Sequence, residues 1–516
     1  MSQEPAQPNR DPQASDPATA IEPDTPHSPG MIVEDVQAAI DSEGAIKSGK
    51  LAGKGMWAAI WILALPVLFQ QFMQACVGLV DKMLAGRLPE SIVRPAMDAI
   101  GIGSYVGWLI GVAMVGVGIG GQAMIARSIG AGDTLRAGRA LGQAINLSIW
   151  WGAVVGAVMW VGAGPLADAS KLSPEARLYC LQYVRALAVA MPFTGVMMVG
   201  GMCLHGAGET TRPSLIAVGV NIVNIVFAYA LSGVDIALGD HTLHNPFPFH
   251  LNVVGIAVGA ALSSAFGAIA TVWIMFRGVK DLRLEWRHMG FDREITWPII
   301  RIGIPNFLEG MAMWGVNLFV ITFIGQIAKR GIEAGGGEGL QGAHIIAIQW
   351  EALSFLPGFA MGTAAGAMAG QFLGARNPRM AQRSVIACAG IAMLIMGSMG
   401  VLFMTSGRLL TSVISSEEVF LRHTPNMLFI CGMIEVFFAL ALVFRQALRG
   451  AGDAIGPFVI TSVSSYLVRL PLAWYFGVHL ELGIEGIWIG MCSEIVVRAA
   501  LFAARFFDGG WKRIEL

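Results

Sequence analysis

Twelve apolar runs divide this chain between residues 56 and 507, and each is long enough to cross a bilayer. They lie at 56–83, 97–126, 138–163, 179–203, 213–234, 251–276, 297–327, 341–373, 382–405, 420–447, 455–478 and 483–507. A helical crossing takes about 20 predominantly apolar residues, so the pattern predicts an all-α membrane protein with twelve transmembrane helices. Composition agrees, with 55% of residues hydrophobic and 13% charged, where a soluble domain carries roughly 25% charged. Glycine runs such as GVGIGG at 116–121 fit the close approach of helices in lipid.

Residues 1–50 break the pattern. They are rich in Pro, Ser, Asp and Glu without aliphatic periodicity, which predicts a disordered tail. A secretory signal would need basic residues and then a short apolar stretch at the start, and the first apolar span begins only near Met56. The six cysteines fall in or beside apolar spans without metal-ligand spacing and read as packing residues. A formal net charge of −1 gives no reason to expect a nucleic-acid partner.

Lys and Arg concentrate on cytoplasmic connections. Alternate connections, starting before the first span, hold 20 of them, against 9 on the opposite side. Both termini of this multi-pass cell-membrane protein are therefore expected in the cytoplasm, and an even number of spans agrees.

The segment LHGAGETTRP, Leu204 to Pro213, returns as LRGAGDAIGP, Leu448 to Pro457, at an offset of 244 residues. The same offset places Ala123, Met124, Gly130, Ala131, Ala137 and Arg139 on identical residues at 367, 368, 374, 375, 381 and 383. Two separate segments sharing one offset indicate a duplication. The chain then divides into a tail at 1–50, an N-terminal lobe at 51–276, a basic cytoplasmic connection at 277–296, a C-terminal lobe at 297–507 and a short tail at 508–516. Six spans per half give two pseudo-symmetric six-helix lobes of equal orientation, related by an axis along the membrane normal. The decapeptide is expected as the Gly-rich corner between the fourth and fifth spans of each half, with Pro starting the next helix.

The paired helix-end motifs GAGD…R and L-x-GAG[ED], a first span with Pro66 that ends in LVDKMLAG (79–86), and RALAVAMP (185–192) are similar to those of the multidrug and toxic compound extrusion (MATE) family. The resemblance covers residues 56–507. It implies two lobes around a central cleft, alternating access, and export of amphipathic, often cationic compounds in exchange for protons or sodium ions. No cofactor is implied beyond that coupling ion. The partners expected are a small-molecule substrate and the lipid bilayer, and the expected state is a monomer.

Ionisable groups inside a span are costly unless they face the protein interior or water. In the first span Gln70, Gln74 and Asp81 fall within about 40° of one another on the helix, as a polar stripe lining a cavity would. Asp81 also matches the family's ion-coupling acid; otherwise it caps the helix end or pairs with Lys82 or Arg87. Asn221 and Asn224 share a face of the fifth span, and Asn224 matches the family Asn that helps hold the ion, with interhelical amide packing as the other reading. Some members carry an Asp one turn later, where this chain has Ala228.

In the seventh span Asn306, Glu309, Met313 and Asn317 share a face. Glu309 resembles in role the intramembrane Glu of sodium-coupled members, one turn nearer Pro305 than their pattern. Glu435 reads equally as ion binding or as a partner of Arg445 or Arg469. Glu494 and Arg498 read as an internal i, i+4 ion pair. His344 and Glu351, seven apart, share a face of the eighth span. The substrate cleft is thus expected to draw on Gln70, Gln74, Asn221, Asn306, Met313, Asn317 and Glu435, and ion coupling on Asp81, Asn224 and Glu309. An enzyme is not expected, since neither HExxH nor Gly-x-Ser-x-Gly occurs. The alternatives are a channel or a lipid-linked glycan flippase, the latter needing more Arg and Lys inside the cleft to hold pyrophosphate.

Overall fold

A computed structural model of the chain describes residues 51, 53–85, 87–169, 173–238, 241–243, 245, 247, 249–333, 339–414 and 417–514. The expected disordered tail lies outside these residues. Among the described residues, twelve helices long and apolar enough to cross a membrane follow in order. They are α1 (Met56–Ala85), α2 (Glu90–Ala131), α3 (Thr134–Ala169), α4 (Pro174–Gly206), α5 (Thr211–Ser232), α6 (Asn252–Arg277), α7 (Arg293–Glu333), α8 (Leu340–Gly374), α9 (Pro378–Ile414), α10 (Glu418–Gly450), α11 (Ile455–His479) and α12 (Gly483–Asp508). Large apolar side chains such as Trp150, Leu394 and Leu467 stand exposed on their outer faces, as lipid contact requires.

Most helices overrun their apolar runs because polar residues close the ends. At α4, Ser173 Oγ accepts from Ala176 N at 3.2 Å and Pro174 opens the first turn. Two features were not legible in the apolar pattern. A short antiparallel hairpin, β1 (Ile236–Leu238) with β2 (His241–Leu243), stands in the connection from α5 to α6. The helix α11 runs through two π-helical stretches, Ser465–Arg469 and Tyr475–His479.

The duplication is visible in packing. In the first lobe α4 packs on α2, α3 and α6, while α5 packs on α6 and α1. In the second, α10 packs on α8, α9 and α12, while α11 packs on α12 and α7, so each pair has its counterpart. Across the lobes, α2 meets α7 as α8 meets α1, and α2 crosses α8. At that crossing Gly130 leaves no room for a Cβ against the carbonyl of Gln371, and Gly374 none against the carbonyl of Arg127. These four positions exchange under the 244-residue offset, which puts the pseudo-twofold axis between the two glycines. The inter-lobe core formed by Leu51, Ile60 and Leu63 against Met368 and Phe372 lies at the same end.

Both decapeptides fold as the expected corner, and they fold alike. Glu209 N donates to Leu204 O and Asp453 N to Leu448 O, each at 2.9 Å, with Gly208 at φ 79° and Gly452 at φ 95°. Glu209 Oε1 then accepts from Thr211 N and Arg212 N, and Asp453 Oδ1 from Gly456 N, so each acid caps the next helix. The corners after α2 and α8 also correspond, with Gly132 at φ 79° and Arg376 at φ 60°. A left-handed backbone costs an L-residue roughly 1–2 kcal/mol. Arg376→Gly is therefore expected to raise the thermal unfolding midpoint in detergent, and a lowered midpoint would mean that the Arg376 side chain contributes more than its backbone costs.

The basic connection 277–296 is tied to α3. Gln143 Nε2 donates to His288 O and Gly290 O at 2.8 and 2.5 Å, and its Oε1 accepts from Thr296 Oγ1 at 2.9 Å. Arg139 Nη2 meets Asp292 Oδ2 at 2.6 Å. Burial raises the Asp292 carboxyl, but the Arg139 hydrogen bond and charge together with the backbone donors of Ile295 and Glu294 outweigh it and hold Asp292 below its ordinary value. The contribution of this tie is full above the ordinary carboxylate range and is lost as pH falls through the lowered value.

Candidate functional site

Pro66 lies inside α1 and removes the hydrogen bond that Ile62 O would otherwise accept. Thr210 Oγ1, from the decapeptide corner, donates to that carbonyl at 2.9 Å. Ser214 Oγ donates to Pro66 O, and Asn221 Nδ2 to Met73 O at 2.9 Å. The kinked helix is thus held to α5 along its length. Sequence reading passed over Thr210, although the second copy of the decapeptide has Ala454 there, and that difference marks the site. Thr210→Val should leave Ile62 O without a partner and cost about 1–3 kcal/mol of stability, whereas Thr210→Ser keeps the donor. Equal thermal midpoints for the two variants would overturn this assignment.

Beyond the kink, at the far end of α1 from the inter-lobe core, Asp81 is 7% exposed and Oδ1 accepts from Asn224 Nδ2 at 3.3 Å. Asn224 is fully buried, and its Oδ1 has no partner among the described residues. Tyr183 of α4 is buried beside them and feels the charge of Asp81. An acid with one neutral donor, next to an unused amide oxygen, offers two oxygens to a proton or a small cation. The side chain of Lys82 lies outside the described set.

The remaining polar residues of the first lobe are placed differently. Gln70 Oε1 lies 3.1 Å from His205 Nε2, while Gln74 is exposed. Asn221 also donates to Ala217 O at 2.9 Å, so its amide packs α5 against α1.

In the second lobe Glu309, expected to couple the ion, and Glu494, expected in an internal ion pair, are each engaged by two arginines. Glu309 Oε2 meets Arg449 Nη2 at 2.6 Å, while its Oε1 lies 3.5 Å from Arg445 Nη1 and accepts from Thr461 Oγ1 at 2.9 Å. Glu494 meets Arg469 at 3.0 Å and Arg498 at 2.7 Å. These are two buried Arg–Glu–Arg triads, each with one guanidinium in excess. Arg445 and Arg449 are two of the 20 basic residues assigned to the cytoplasmic connections, and they lie instead in the last turns of α10, which runs to Gly450, with both guanidinium groups turned into the protein. Their signal was the four-residue spacing, which puts both on one face of that helix.

Met313 Sδ accepts from Ser465 Oγ at 3.3 Å beside the second triad. Asn306 bonds its own helix at Ile302 O, 2.7 Å away, and Asn317 is exposed. Glu435 is fully buried and pairs with neither Arg445 nor Arg469; its Oε1 takes Ser354 Oγ at 2.7 Å and Oε2 has no partner among the described residues. His344 Nδ1 accepts from Trp488 Nε1 at 3.0 Å and Glu351 is half-buried. An apolar cavity of about 290 Å³ opens between the lobes, where Trp151 and Leu147 of α3 face Ile304 and Phe307 of α7.

A family model described as MatE matches residues 66–230 and 305–475, one stretch in each half, beginning at Pro66 and Pro305. The "Probable multidrug resistance protein NorM" of Thermotoga maritima is 25% identical over 457 residues, which cover 87% of this chain and 92% of that protein. The "Multidrug resistance protein PmpM" of Pseudomonas aeruginosa is 23% identical, over 86% of this chain and 89% of that one. A solved structure described as MATE in the bent conformation has a TM-score of 0.77 at 21% identity, over 89% of this chain and 96% of that chain. One in the straight conformation has a TM-score of 0.75 at 22% identity, over 88% and 97%.

Proposed function

The chain belongs to the MatE family of membrane transporters, and from that membership we propose that it exports amphipathic organic compounds in exchange for protons or sodium ions. The observation that carries this reading is the Asp81–Asn224 pair, buried at the far end of a helix that Pro66 allows to bend. Relatives named for multidrug resistance support an organic, drug-like substrate. Loading Asp81 with a cation removes the cost of a buried charge and changes which position of α1 against α5 is preferred. The inter-lobe contacts at the decapeptide end close the cleft there, and their release is the complementary step.

The experiment is counterflow in proteoliposomes. A proton or sodium gradient is expected to drive an amphipathic dye uphill, and the gradient that does so identifies the ion. Dye that only equilibrates under both gradients would leave a channel standing instead.

A second reading places coupling at Glu435, whose free Oε2 meets the same requirement. The cationic preference expected from the sequence has less to rest on, because Glu309 and Glu494 are each held by two arginines.

The decapeptide end faces the cytoplasm in this reading. Thr210 and Ala454 are too buried to report it, so Thr211 and Ile455, both exposed, are the positions for single cysteines. Labelling from outside by an impermeant reagent would invert the topology.

A further inference from the structure

We infer that the Arg445–Glu309–Arg449 triad is an oxyanion site, taking the carboxylate, sulfonate or phosphate head of an amphipathic substrate. The inference rests on the export reading and names the head group exported.

Two guanidinium groups share one carboxylate there, so one positive charge is left over in an interior position. Uncompensated buried charge is costly, and a bound counter-charge removes the cost. The neighbouring acids are committed elsewhere. Glu494 holds Arg469 and Arg498, Glu351 acts on Arg469, Glu435 is bonded to Ser354 and Asp453 pairs with Arg505. Arg498 faces the triad as a third cation.

The donors are unused as well as the charge. Arg449 spends Nη2 on Glu309 and Nη1 on Gln446 Oε1 at 3.2 Å, while its Nε is buried without a partner. The Nε of Arg445 is likewise buried and unpartnered. A guanidinium with five donors in a fixed fork recognises an oxyanion through two of them at once.

Arg449 also lines a cavity of about 10 Å³, room for roughly one water. Gln122 of α2 closes it from the first lobe, and Thr363 of α8 and Gln446 of α10 from the second. All three bring polar groups. Because the cavity lies across the lobe boundary, separation of the lobes enlarges it and their approach occludes it, which is where an exported head group is held. Arginine inside the cleft is what a lipid-linked glycan flippase would need to hold pyrophosphate, and Arg449 stands at the lobe boundary.

The test uses the full chain in nanodiscs and two fluorescent probes with one dansyl body, one ending in a carboxylate and one in a quaternary ammonium. The carboxylate probe is expected to bind about 10-fold tighter or more, as charge-assisted hydrogen bonds allow. Arg449→Gln should remove that preference, and Arg449→Lys should restore part of it. Because a broken triad can impair folding, Gln122→Leu, which leaves both triads intact, is the second variant. It should weaken the carboxylate probe roughly 2- to 10-fold, the worth of one neutral hydrogen bond.

Competition by phosphatidic acid in the disc would identify a lipid head group as the occupant. Undiminished probe binding in its presence would identify a soluble amphiphile. Equal or tighter binding of the ammonium probe, or an unchanged affinity in Gln122→Leu, overturns the site. If that happens while gradient-driven counterflow persists, the anion site falls and the exporter stands.

Discussion

Asp81→Asn is expected to abolish uphill efflux while leaving the protein inserted and folded. An Asn at this position keeps an oxygen to accept from Asn224 Nδ2, now 3.3 Å from the carboxylate, so packing between α1 and α5 changes little. What is lost is the charge that a proton or sodium ion neutralises. One charge moving down a membrane potential releases about 2.3 kcal/mol per 100 mV, roughly a 50-fold bias between two conformations. Without it the dye should only equilibrate, and accumulation against a gradient should drop at least about 10-fold. Counterflow of the Asp81→Asn protein under proton and sodium gradients is the measurement. Undiminished uphill transport would falsify the first-lobe assignment, and the same loss in Glu435→Gln with Asp81→Asn active would move coupling to the second lobe.

The second large effect separates an acid that holds the fold from one free to bind. Glu494→Gln leaves Arg469 and Arg498 buried together with no carboxylate between them. Removing one partner from a buried ion pair costs about 3–5 kcal/mol, so the variant should unfold well below the parent in detergent and insert poorly. Glu435→Gln keeps the contact with Ser354 Oγ, because a glutamine oxygen accepts as the carboxylate does. Its thermal midpoint should stay within a few degrees of the parent. A stable Glu494→Gln protein would show that the triad is relaxed by a water or an ion; an unstable Glu435→Gln protein would make that acid structural too.

Sequence periodicity reaches as far as the face of a helix and stops before the neighbour. Asp81 and Asn224 could be brought together from the sequence because a polar stripe on the first span and a polar face on the fifth matched one family pattern, and the structure sets them 3.3 Å apart. Gln74 and Asn317 belonged to equally regular stripes and stand exposed. The angle of a residue on its helix is local, whereas its burial depends on which helix lies opposite.

The arginines show the same limit more sharply. Arg445 falls inside the last turn of its apolar run, which ends at 447, and Arg449 lies just beyond it. The helix continues to Gly450 because the decapeptide corner closes it there, and that extension keeps Arg449 on the same inward face as Arg445. Their partner Glu309 is about 140 residues away on α7, a pairing with no local trace.

The sequence alone determined twelve spans, the duplication with its 244-residue offset, and the two corners, because length, hydropathy and turn chemistry act within a few residues of themselves. The tertiary structure alone decided which acids keep a free oxygen and which are neutralised. That outcome depends on how close the lobes come at Gly130 and Gly374, and on which charges the low-dielectric interior forces into contact.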